Sequence, residues 1–450
     1  MATRGVRSRQ DSNLRTRLRR PVLYPLSYGS SGVNPTENGR PTLQPVRYAS
    51  TRGDAPQLDF RGALLAGLAS DGGLYVPEEI PLLPAGWRTW SYPQAVAGVL
   101  TLFGAEDVAA VVDSAAARFS HPEIAPLVEV GDRVVLELFW GPTLSFKDHA
   151  LQVLGGLLDR ELDQSATVLV ATSGDTGSAA IEACRGRAHL RIVVLYPEGM
   201  VSDFQRRQMT TVDDDNVRAV AVQGTFDDCQ RMVKEALHRH PGLLAVNSIN
   251  WARIASQTGY YVHLAARMPA EFDVVVPTGN FGNVFSCWLA KRMGVPIQRI
   301  TIANNANRGL TTLVKTGAME TGDVIATSAP AMDVGVPSNL ERFTDDPAAE
   351  FEAGFADDEQ IGKTIFEVDS DHGYLLDPHT ATAWFVGSET IGELTQVVVG
   401  TAHPAKFGET VQRAVGRVPE PPPGFDDISS KVERTWLISA EPSELDDLIR

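Results

Sequence analysis

The sequence is poor in cysteine and has no long apolar run. Its 450 residues include three cysteines, Cys184, Cys229 and Cys287, which are too far apart for a zinc motif or a disulfide framework. We therefore expect no bound metal and a reducing compartment. No run of about 18 apolar residues occurs, so no membrane-spanning helix is expected.

Lysine is absent from the first 52 residues, which contain ten arginines and only two acids, Asp11 and Glu37. The whole chain has a net charge of −16, so the remainder is strongly acidic, which argues against nucleic acid as a partner. Residues 1–45 are predicted to form a disordered basic arm. An organelle transit peptide and, less favoured, a nucleic-acid-binding arm are the alternatives. The protein is expected to be cytoplasmic unless the arm directs import into an organelle.

Hydrophobic residues at 43% and charged residues at 21% are typical of a soluble globular protein. From about residue 126, strand-like runs such as "RVVLELF" and "TVLVA" alternate with helical periods, which predicts an α/β fold with largely parallel sheets. Phe366–Val386 is predicted to form a strand, a loop and a helix. In parallel sheets of this kind, ligands bind at the carboxyl ends of the strands.

Three predicted strands end in small polar loops, "ATSGDTGS", "PTGNFGN" and "GTAHPAKF". The first two are neither GxGxxG nor GxxxxGK[ST], which disfavours a nucleotide fold and a nicotinamide-dependent dehydrogenase. Glycine-rich loops that open helices present backbone amides to anions. Lys147, in "SFKD", is either an ordinary solvated lysine or an amine held near apolar groups for Schiff-base chemistry. Two anion sites and such a lysine would suit pyridoxal 5′-phosphate (PLP), a phosphorylated carbonyl cofactor.

The motifs "GPTLSFKDHALQ", "ATSGDTG", "NSINWARI", "GNFGN", "AMDVGVPSNLERF" and "GTAHPAKF" together resemble those of threonine synthase, in that family's order and in its longer bacterial and fungal branch. The resemblance covers about residues 47–407. It implies the fold-type II PLP architecture, similar to the tryptophan synthase β subunit. It also implies conversion of O-phospho-L-homoserine and water into L-threonine and phosphate.

The implied domain organisation follows from the same resemblance. Residues 46–125 would form a mostly helical N-terminal domain, 126–150 and 217–450 a large PLP-binding α/β domain, and 151–216 a small α/β domain. The expected partner is a small-molecule substrate, with neither nucleic acid nor membrane, and the sequence sets no oligomeric state.

The resemblance assigns the cofactor site residue by residue. Lys147 matches the Schiff-base lysine and serves as the catalytic residue. Thr401 matches the residue that contacts the pyridine nitrogen. The cofactor phosphate is matched by Gly279, Asn280, Phe281 and Asn283.

Substrate groups are assigned to three further segments. The loop that would receive the α-carboxylate contains Thr172, Ser173, Gly174, Asp175 and Thr176, of which Asp175 could instead cap the following helix. The substrate phosphate is assigned to Asn247, Asn250 and Arg253, although Arg253 could equally be a structural ion-pair partner. Lys406, or the nearby His403, is a candidate phosphate or proton partner.

One position departs from the family pattern. Related sequences read "ELFHGPT" or similar, whereas this chain has Trp140 in place of the histidine. The departure bears on the substrate more than on the cofactor. It keeps open a second hypothesis, a phospho-lyase that releases 2-oxobutyrate from O-phosphothreonine or O-phosphohomoserine.

Overall fold

The computed structural model describes residues 46–450 except positions 241, 247, 321, 391, 426 and 450. The predicted basic arm, 1–45, and the site candidate Asn247 lie outside the described residues. Among the helices that are described, none is long and apolar enough to cross a membrane.

The strands are short and mostly buried. In chain order they are β1 (Tyr48–Ser50), β2 (Tyr75–Pro77), β3 (Leu127–Val130), β4 (Arg133–Glu137), β5 (Ala166–Ala171), β6 (Leu190–Pro197), β7 (Val217–Gln223), β8 (Phe272–Pro277), β9 (Ile297–Asn304), β10 (Glu352–Phe355), β11 (Thr395–Gly400) and β12 (Trp436–Ser439).

The helices lie between these strands. They are α1 (Phe60–Ala66), α2 (Tyr92–Leu102), α3 (Ala109–Ala116), α4 (Lys147–Glu161), α5 (Asp175–Cys184), α6 (Asp203–Thr210), α7 (Phe226–Arg239), α8 (Trp251–Arg267), α9 (Gly282–Arg292), α10 (Gly309–Thr316), α11 (Pro347–Glu350), α12 (Asp358–His372), α13 (Pro378–Glu389), α14 (Gly408–Val415) and α15 (Pro442–Ile449).

Two largely parallel sheets organise the molecule. A six-stranded sheet has the order β10-β9-β8-β11-β4-β3, in which β3 is antiparallel to β4 and the other pairs are parallel. A four-stranded sheet, β12-β7-β6-β5, is parallel throughout. The predicted α/β fold with parallel sheets is confirmed. The side chains on both faces of β8 are buried, which explains why "FDVVVP" is a mostly apolar run and does not alternate between apolar and polar residues.

The predicted small domain ends too early at residue 216. Strand β7, which starts at Val217, pairs with β6, and the C-terminal β12 pairs with β7 in the same sheet. Apolar strands carry no sign of which sheet they join, so the sequence did not reveal this return of the chain. Residues 46–450 form one compact unit, and the remaining domain division stays a prediction.

The strand predicted at Phe366 is part of helix α12. Asp357 and Gln360 form a capping box that starts this helix, and Gly373, with a φ of 65°, ends it. The local alternation of apolar and polar residues around Phe366 is therefore overridden by the cap, which begins the helix eight residues earlier along the chain.

The order of strands places the site. Strands β8, β11 and β4 are neighbours in the six-stranded sheet. The carboxyl end of β8 leads into residues 278–281, the α9 loop, and that of β11 leads into Thr401. The carboxyl end of β4 leads into residues 138–147, the Lys147 segment. Strand β5 of the other sheet leads into the loop that opens α5 at Asp175. Two of the three predicted loops and the Lys147 segment thus meet at one edge of a single sheet.

Candidate active site

Backbone hydrogen bonds join the Lys147 segment to the end of β11. The amide of Phe146 donates to the carbonyl of Thr401 (2.9 Å), and the amide of His403 donates to the carbonyl of Leu144 (3.1 Å). Leu144 has a φ of 60°, a left-handed conformation that is unusual for leucine. These bonds fix the entry to α4, whose first residue is Lys147.

The Lys147 side chain is buried and has an acidic partner. Its residue exposure is 9%, and its Nζ lies 3.1 Å from Oδ2 of Asp175. Burial lowers the pKa of Lys147, with the charges of Lys406 and Arg253 acting in the same direction and Asp175 opposing them. Of the two alternatives for Lys147, the structure has the enclosed amine, and a carboxylate accompanies it.

Asp175 lies between two lysines. Its Oδ1 is 3.1 Å from Nζ of Lys406 and also accepts from Nε2 of Gln205 at 2.8 Å. Burial acts to raise the pKa of Asp175, but the charges of Lys147 and Lys406 outweigh it and hold that pKa below its usual range. The predicted cap role is taken instead by Gly174, the N-cap residue of α5, with a φ of 139° that favours glycine.

Lys406 is completely enclosed. Its side chain has no exposed surface, and its Nζ donates to the carbonyl of Thr143 (2.6 Å) and to Oε1 of Gln208 (2.9 Å). Burial lowers the pKa of His403 to about 4, so its imidazole is neutral at neutral pH. Its Nδ1 accepts from the amide of Ala405 at 3.2 Å. Of the two alternatives, Lys406 is the one that carries charge into the site.

The α5 loop is shaped by Thr172. Its Oγ1 accepts from the amides of Gly174 (2.9 Å) and Gly177 (2.8 Å). A Cβ at Gly174 would lie 2.6 Å from the side chain of Gln205, so the position has room only for glycine. Ser173 and Thr176 are half-buried beside it. The predicted loop is thus a tight amide-lined turn at the opening of α5.

The α9 loop contains an unpartnered buried donor. Asn283 is 7% exposed, its Oδ1 accepts from the hydroxyls of Tyr260 (2.6 Å) and Tyr261 (2.8 Å), and its Nδ2 has no partner. Phe281, the N-cap residue of α9, has a φ of 66°. A free amide donor at a helix N-terminus fits an anion such as the cofactor phosphate.

Neighbouring segments brace this loop. A Cβ at Gly279 would lie 2.6 Å from the carbonyl of Ala331, which explains the glycine. The backbone carbonyl of Asn280 accepts a hydrogen bond from the amide of Asn339 at 3.3 Å. The segment around Asn339 was recognised as a motif, but its contact with the α9 loop is a long-range one.

Thr401 lies at the end of β11 and is 5% exposed. Its amide donates to Oγ1 of Thr380 at 3.3 Å, and the Thr380 hydroxyl donates to the carboxylate of Asp377. The Thr401 backbone is therefore held from both sides, by Thr380 and by Phe146. This leaves its neutral hydroxyl as the side-chain group that would meet a pyridine nitrogen.

Arg253 is buried without a carboxylate. It is 4% exposed, its Nη1 donates to the carbonyl of Val246 (3.0 Å), and its Nε is buried without a partner. Burial lowers the pKa of Arg253 to about 10. No ion pair of Arg253 is present among the described residues, so the structural alternative is not what the structure shows. Its positive charge adds to the effect of burial in lowering the pKa of Lys147.

The Asn250 side chain stabilises the start of α8 and its contact with Leu64. Its Oδ1 accepts from the amide of Ala252 (3.0 Å), which caps α8, and its Nδ2 donates to the carbonyl of Leu64 (2.8 Å). Both ends of the amide are engaged within the protein. The predicted contact of Asn250 with substrate phosphate is thus disfavoured.

Several residues of the site escaped the sequence reasoning. Gln205 and Gln208 lie three apart on α6, a helical spacing that places both on one face, and this was the available signal. Asp148 accepts from the amide and the hydroxyl of Thr143, both at 2.8 Å, and burial raises its pKa to about 6. The sequence places Asp148 directly after Lys147, and this position does not indicate that its carboxylate bonds Thr143 in the turn before α4.

Trp140 is anchored by a buried acid. Its Nε1 donates to Oε2 of Glu137 at 2.7 Å, and the hydroxyl of Tyr374 donates to Oε1 of the same carboxylate at 2.6 Å. The Trp140 ring lies 5.3 Å from His121 and 6.2 Å from His403, measured between centroids. Trp140, at the position where the resemblance implies a histidine, is thus an aromatic ring fixed beside His403.

Comparison with known proteins agrees with this geometry. The family model "Pyridoxal-phosphate dependent enzyme" matches residues 126–400, "Threonine synthase N terminus" matches 47–114, and "Threonine synthase, C-terminal" matches 380–449. The threonine synthase of Pseudomonas aeruginosa is 40% identical over 89% of this chain and 96% of its own length.

Solved structures give the same result. The PLP-bound threonine synthase of Brucella melitensis has a TM-score of 0.85 at 39% identity, covering 90% of this chain and 98% of that one. Yeast threonine synthase has a TM-score of 0.83 at 32% identity, with coverage of 90% and 98%.

Proposed function

The chain belongs to the threonine synthase family of pyridoxal-phosphate dependent enzymes, and we propose that it converts O-phospho-L-homoserine and water into L-threonine and phosphate. It is a PLP-dependent lyase. The observation that carries the proposal is the buried Lys147 amine, enclosed with Asp175, Lys406 and Arg253 at the edge where the cofactor loops meet.

PLP, when bound, withdraws electrons from the substrate's α-carbon and so makes the loss of protons from it feasible. Asn283, with its free Nδ2, and the amides that open α9 would hold the cofactor phosphate. Thr401 would place an uncharged hydroxyl at the pyridine nitrogen. Lys147 would carry the cofactor in the resting enzyme.

The basicity of Lys147 suits it to move protons. Because burial lowers its pKa, the amine gives up its proton more readily than an exposed lysine does. We propose that free Lys147 removes the α-proton of the substrate and then a β-proton. Asp175 would stay ionised, since Lys406 holds its other oxygen, and would keep the Lys147 amine oriented.

The two anionic ends of the substrate would go to different places. Its α-carboxylate would meet the amides of the Thr172–Thr176 loop and the N-terminus of α5, where the helix dipole favours an anion. Its phosphate would meet Arg253, whose buried guanidinium has no carboxylate partner and an unused Nε–H. Long-range attraction would not deliver this anion, because the protein is acidic, with a net charge of −16.

After phosphate leaves the γ-carbon, that carbon would take up a proton to become the methyl group. Water would then add its oxygen at the β-carbon, and the α-carbon would regain a proton, to give threonine. The alternative outcome, release of 2-oxobutyrate without this hydration, is the phospho-lyase hypothesis, and Trp140 is the residue that motivates it. We further propose a cytoplasmic location, and a small-molecule substrate with neither nucleic acid nor membrane as a partner.

Product analysis tests the proposal. The purified enzyme is incubated with PLP and O-phospho-L-homoserine, and threonine, 2-oxobutyrate and phosphate are measured by chromatography and phosphate assay. Threonine formed in equal amount to phosphate supports the proposal, with Lys147→Ala as the inactive control. 2-Oxobutyrate as the main product would replace it with the phospho-lyase hypothesis.

A further inference from the structure

Tyr260 and Tyr261 converge on one oxygen atom. They are consecutive residues of α8, both are fully buried, and both hydroxyls donate to Oδ1 of Asn283, at 2.6 and 2.8 Å. Their ring centroids are 4.8 Å apart. Adjacent residues on a helix point in different directions, so the two hydroxyls reach the oxygen from two sides.

This arrangement fixes which way the Asn283 amide faces. A side-chain amide can rotate to exchange its oxygen and nitrogen, but only the oxygen accepts from two hydroxyls. Burial raises the pKa of both tyrosines well above the ordinary value, so both remain protonated donors. The amide nitrogen is consequently turned away from α8, and it is this nitrogen that is buried without a partner.

A purely structural role explains only half of this geometry. Two buried hydroxyls do need an acceptor, and Oδ1 supplies one. Yet most buried amides kept only for packing have their N–H groups bonded as well, since an unmade hydrogen bond is costly. Asn283 is the second residue of α9, in the turn whose backbone amides also lack helical partners. The free Nδ2 and this helix terminus together point to an anion.

We propose that Tyr260 and Tyr261 are positioning residues for the cofactor phosphate, which they serve by locking the Asn283 amide with its N–H groups toward the phosphate. They touch Asn283 and act through it. The inference rests on the proposed role of the α9 loop as the site of the PLP phosphate.

The test compares PLP with pyridoxal, which lacks the phosphate. Apoenzyme of the wild type, Tyr260→Phe, Tyr261→Phe and the double variant is titrated with each compound, and dissociation constants are read from absorbance. We expect each single variant to bind PLP about fivefold more weakly, the effect of one lost hydrogen bond, and pyridoxal as tightly as the wild type does. Tyr196→Phe is the matched control, because Tyr196 is also buried but lies on β6 of the other sheet, where its hydroxyl bonds the hydroxyl of Thr435.

A second background separates positioning from packing. In Asn283→Ala enzyme, the tyrosine variants should no longer change PLP affinity, because the amide through which they act is absent. Equal weakening of PLP and pyridoxal, or an undiminished effect in the Asn283→Ala background, would overturn the inference. Wild-type enzyme that binds PLP no more tightly than pyridoxal would overturn it as well.

The result is independent of the reaction catalysed. If the tyrosine variants weaken PLP selectively but the wild type makes no threonine, the positioning inference stands and the proposed function fails. If threonine forms normally while the variants bind PLP like the wild type, the inference fails and the proposed function stands.

Discussion

Replacing Arg253 by methionine should lower the catalytic efficiency without lowering the stability of the fold. Arg253 is 4% exposed and donates to the carbonyl of Val246, and among the residues that the structure describes no carboxylate pairs with its guanidinium. Burial lowers its pKa to about 10, from an ordinary value of 12.5. That difference in pKa means that the buried positive charge destabilises the folded protein by about 3 kcal/mol at neutral pH.

The expected result has two parts. Removing one partner of a buried, charged hydrogen bond costs about 2–5 kcal/mol, so Arg253→Met should lower kcat/KM for O-phosphohomoserine by about 30-fold or more. The melting temperature should not fall, because removing the buried charge stabilises the fold and so offsets the loss of the hydrogen bond to Val246. The cofactor's visible spectrum should be unchanged, since the PLP phosphate is assigned to the α9 loop.

The control is Arg133→Met. Arg133 is also buried, at 6% exposure, and its Nη1 donates to the carbonyl of Trp384 at 2.7 Å. It is the first residue of β4, at the end of that strand opposite the one that leads to Lys147. It should change stability without a specific loss of kcat/KM. An Arg253→Met enzyme with unchanged kcat/KM, or one that loses several degrees of melting temperature while Arg133→Met does not, would refute the reasoning.

Further perturbations test the rest of the site. Borohydride treatment of the PLP-loaded enzyme, followed by peptide mass mapping, should place the cofactor on Lys147, and modification of another lysine would contradict the assignment. Lys406→Met should shift the acidic limb of the kcat pH profile, because it removes one of the two cations on Asp175; an unshifted profile would make Lys406 a packing residue. Trp140→His should change the ratio of threonine to 2-oxobutyrate if the ring shapes the site, whereas an unchanged ratio with some loss of stability would assign it to packing. Burial lowers the pKa of His149 to about 3 and that of His263 to about 4, below the ordinary 6.5. Their contribution to stability is therefore complete above pH 6.5 and is lost as the pH falls toward 4, so urea unfolding should show a pH slope that His263→Gln reduces.

Local signals predicted the parts of the site that each loop carries within itself. A strand followed by "TGNFGN" or "TSGDTG" indicates an amide-lined turn at a helix start, and the structure has such turns at α9 and α5. For Lys147 the local sequence left two alternatives, a solvated lysine and an enclosed amine, and the structure has the enclosed one. Asn250 was assigned to substrate, although an asparagine directly before a helical period is equally typical of an N-cap.

Contacts between distant segments could not be predicted in this way. Asp175 meets Lys406 across more than 200 positions in the chain, and nothing near either residue signals the other. The return of β12 to the four-stranded sheet is of the same kind, because pairing depends on the path of the whole chain. Arg342, which donates to the carbonyls of Tyr75 and Ile249, lay in a recognised motif without a role.

The most direct test of the central claim follows the oxygen of water. The enzyme is incubated with O-phospho-L-homoserine in water labelled with heavy oxygen, and threonine and phosphate are examined by mass spectrometry. If the enzyme breaks the bond between the γ-carbon and oxygen and then hydrates the β-carbon, the label enters the hydroxyl of threonine and the released phosphate stays unlabelled. Label in the phosphate together with homoserine as the product, or phosphate release without labelled threonine, would contradict the account.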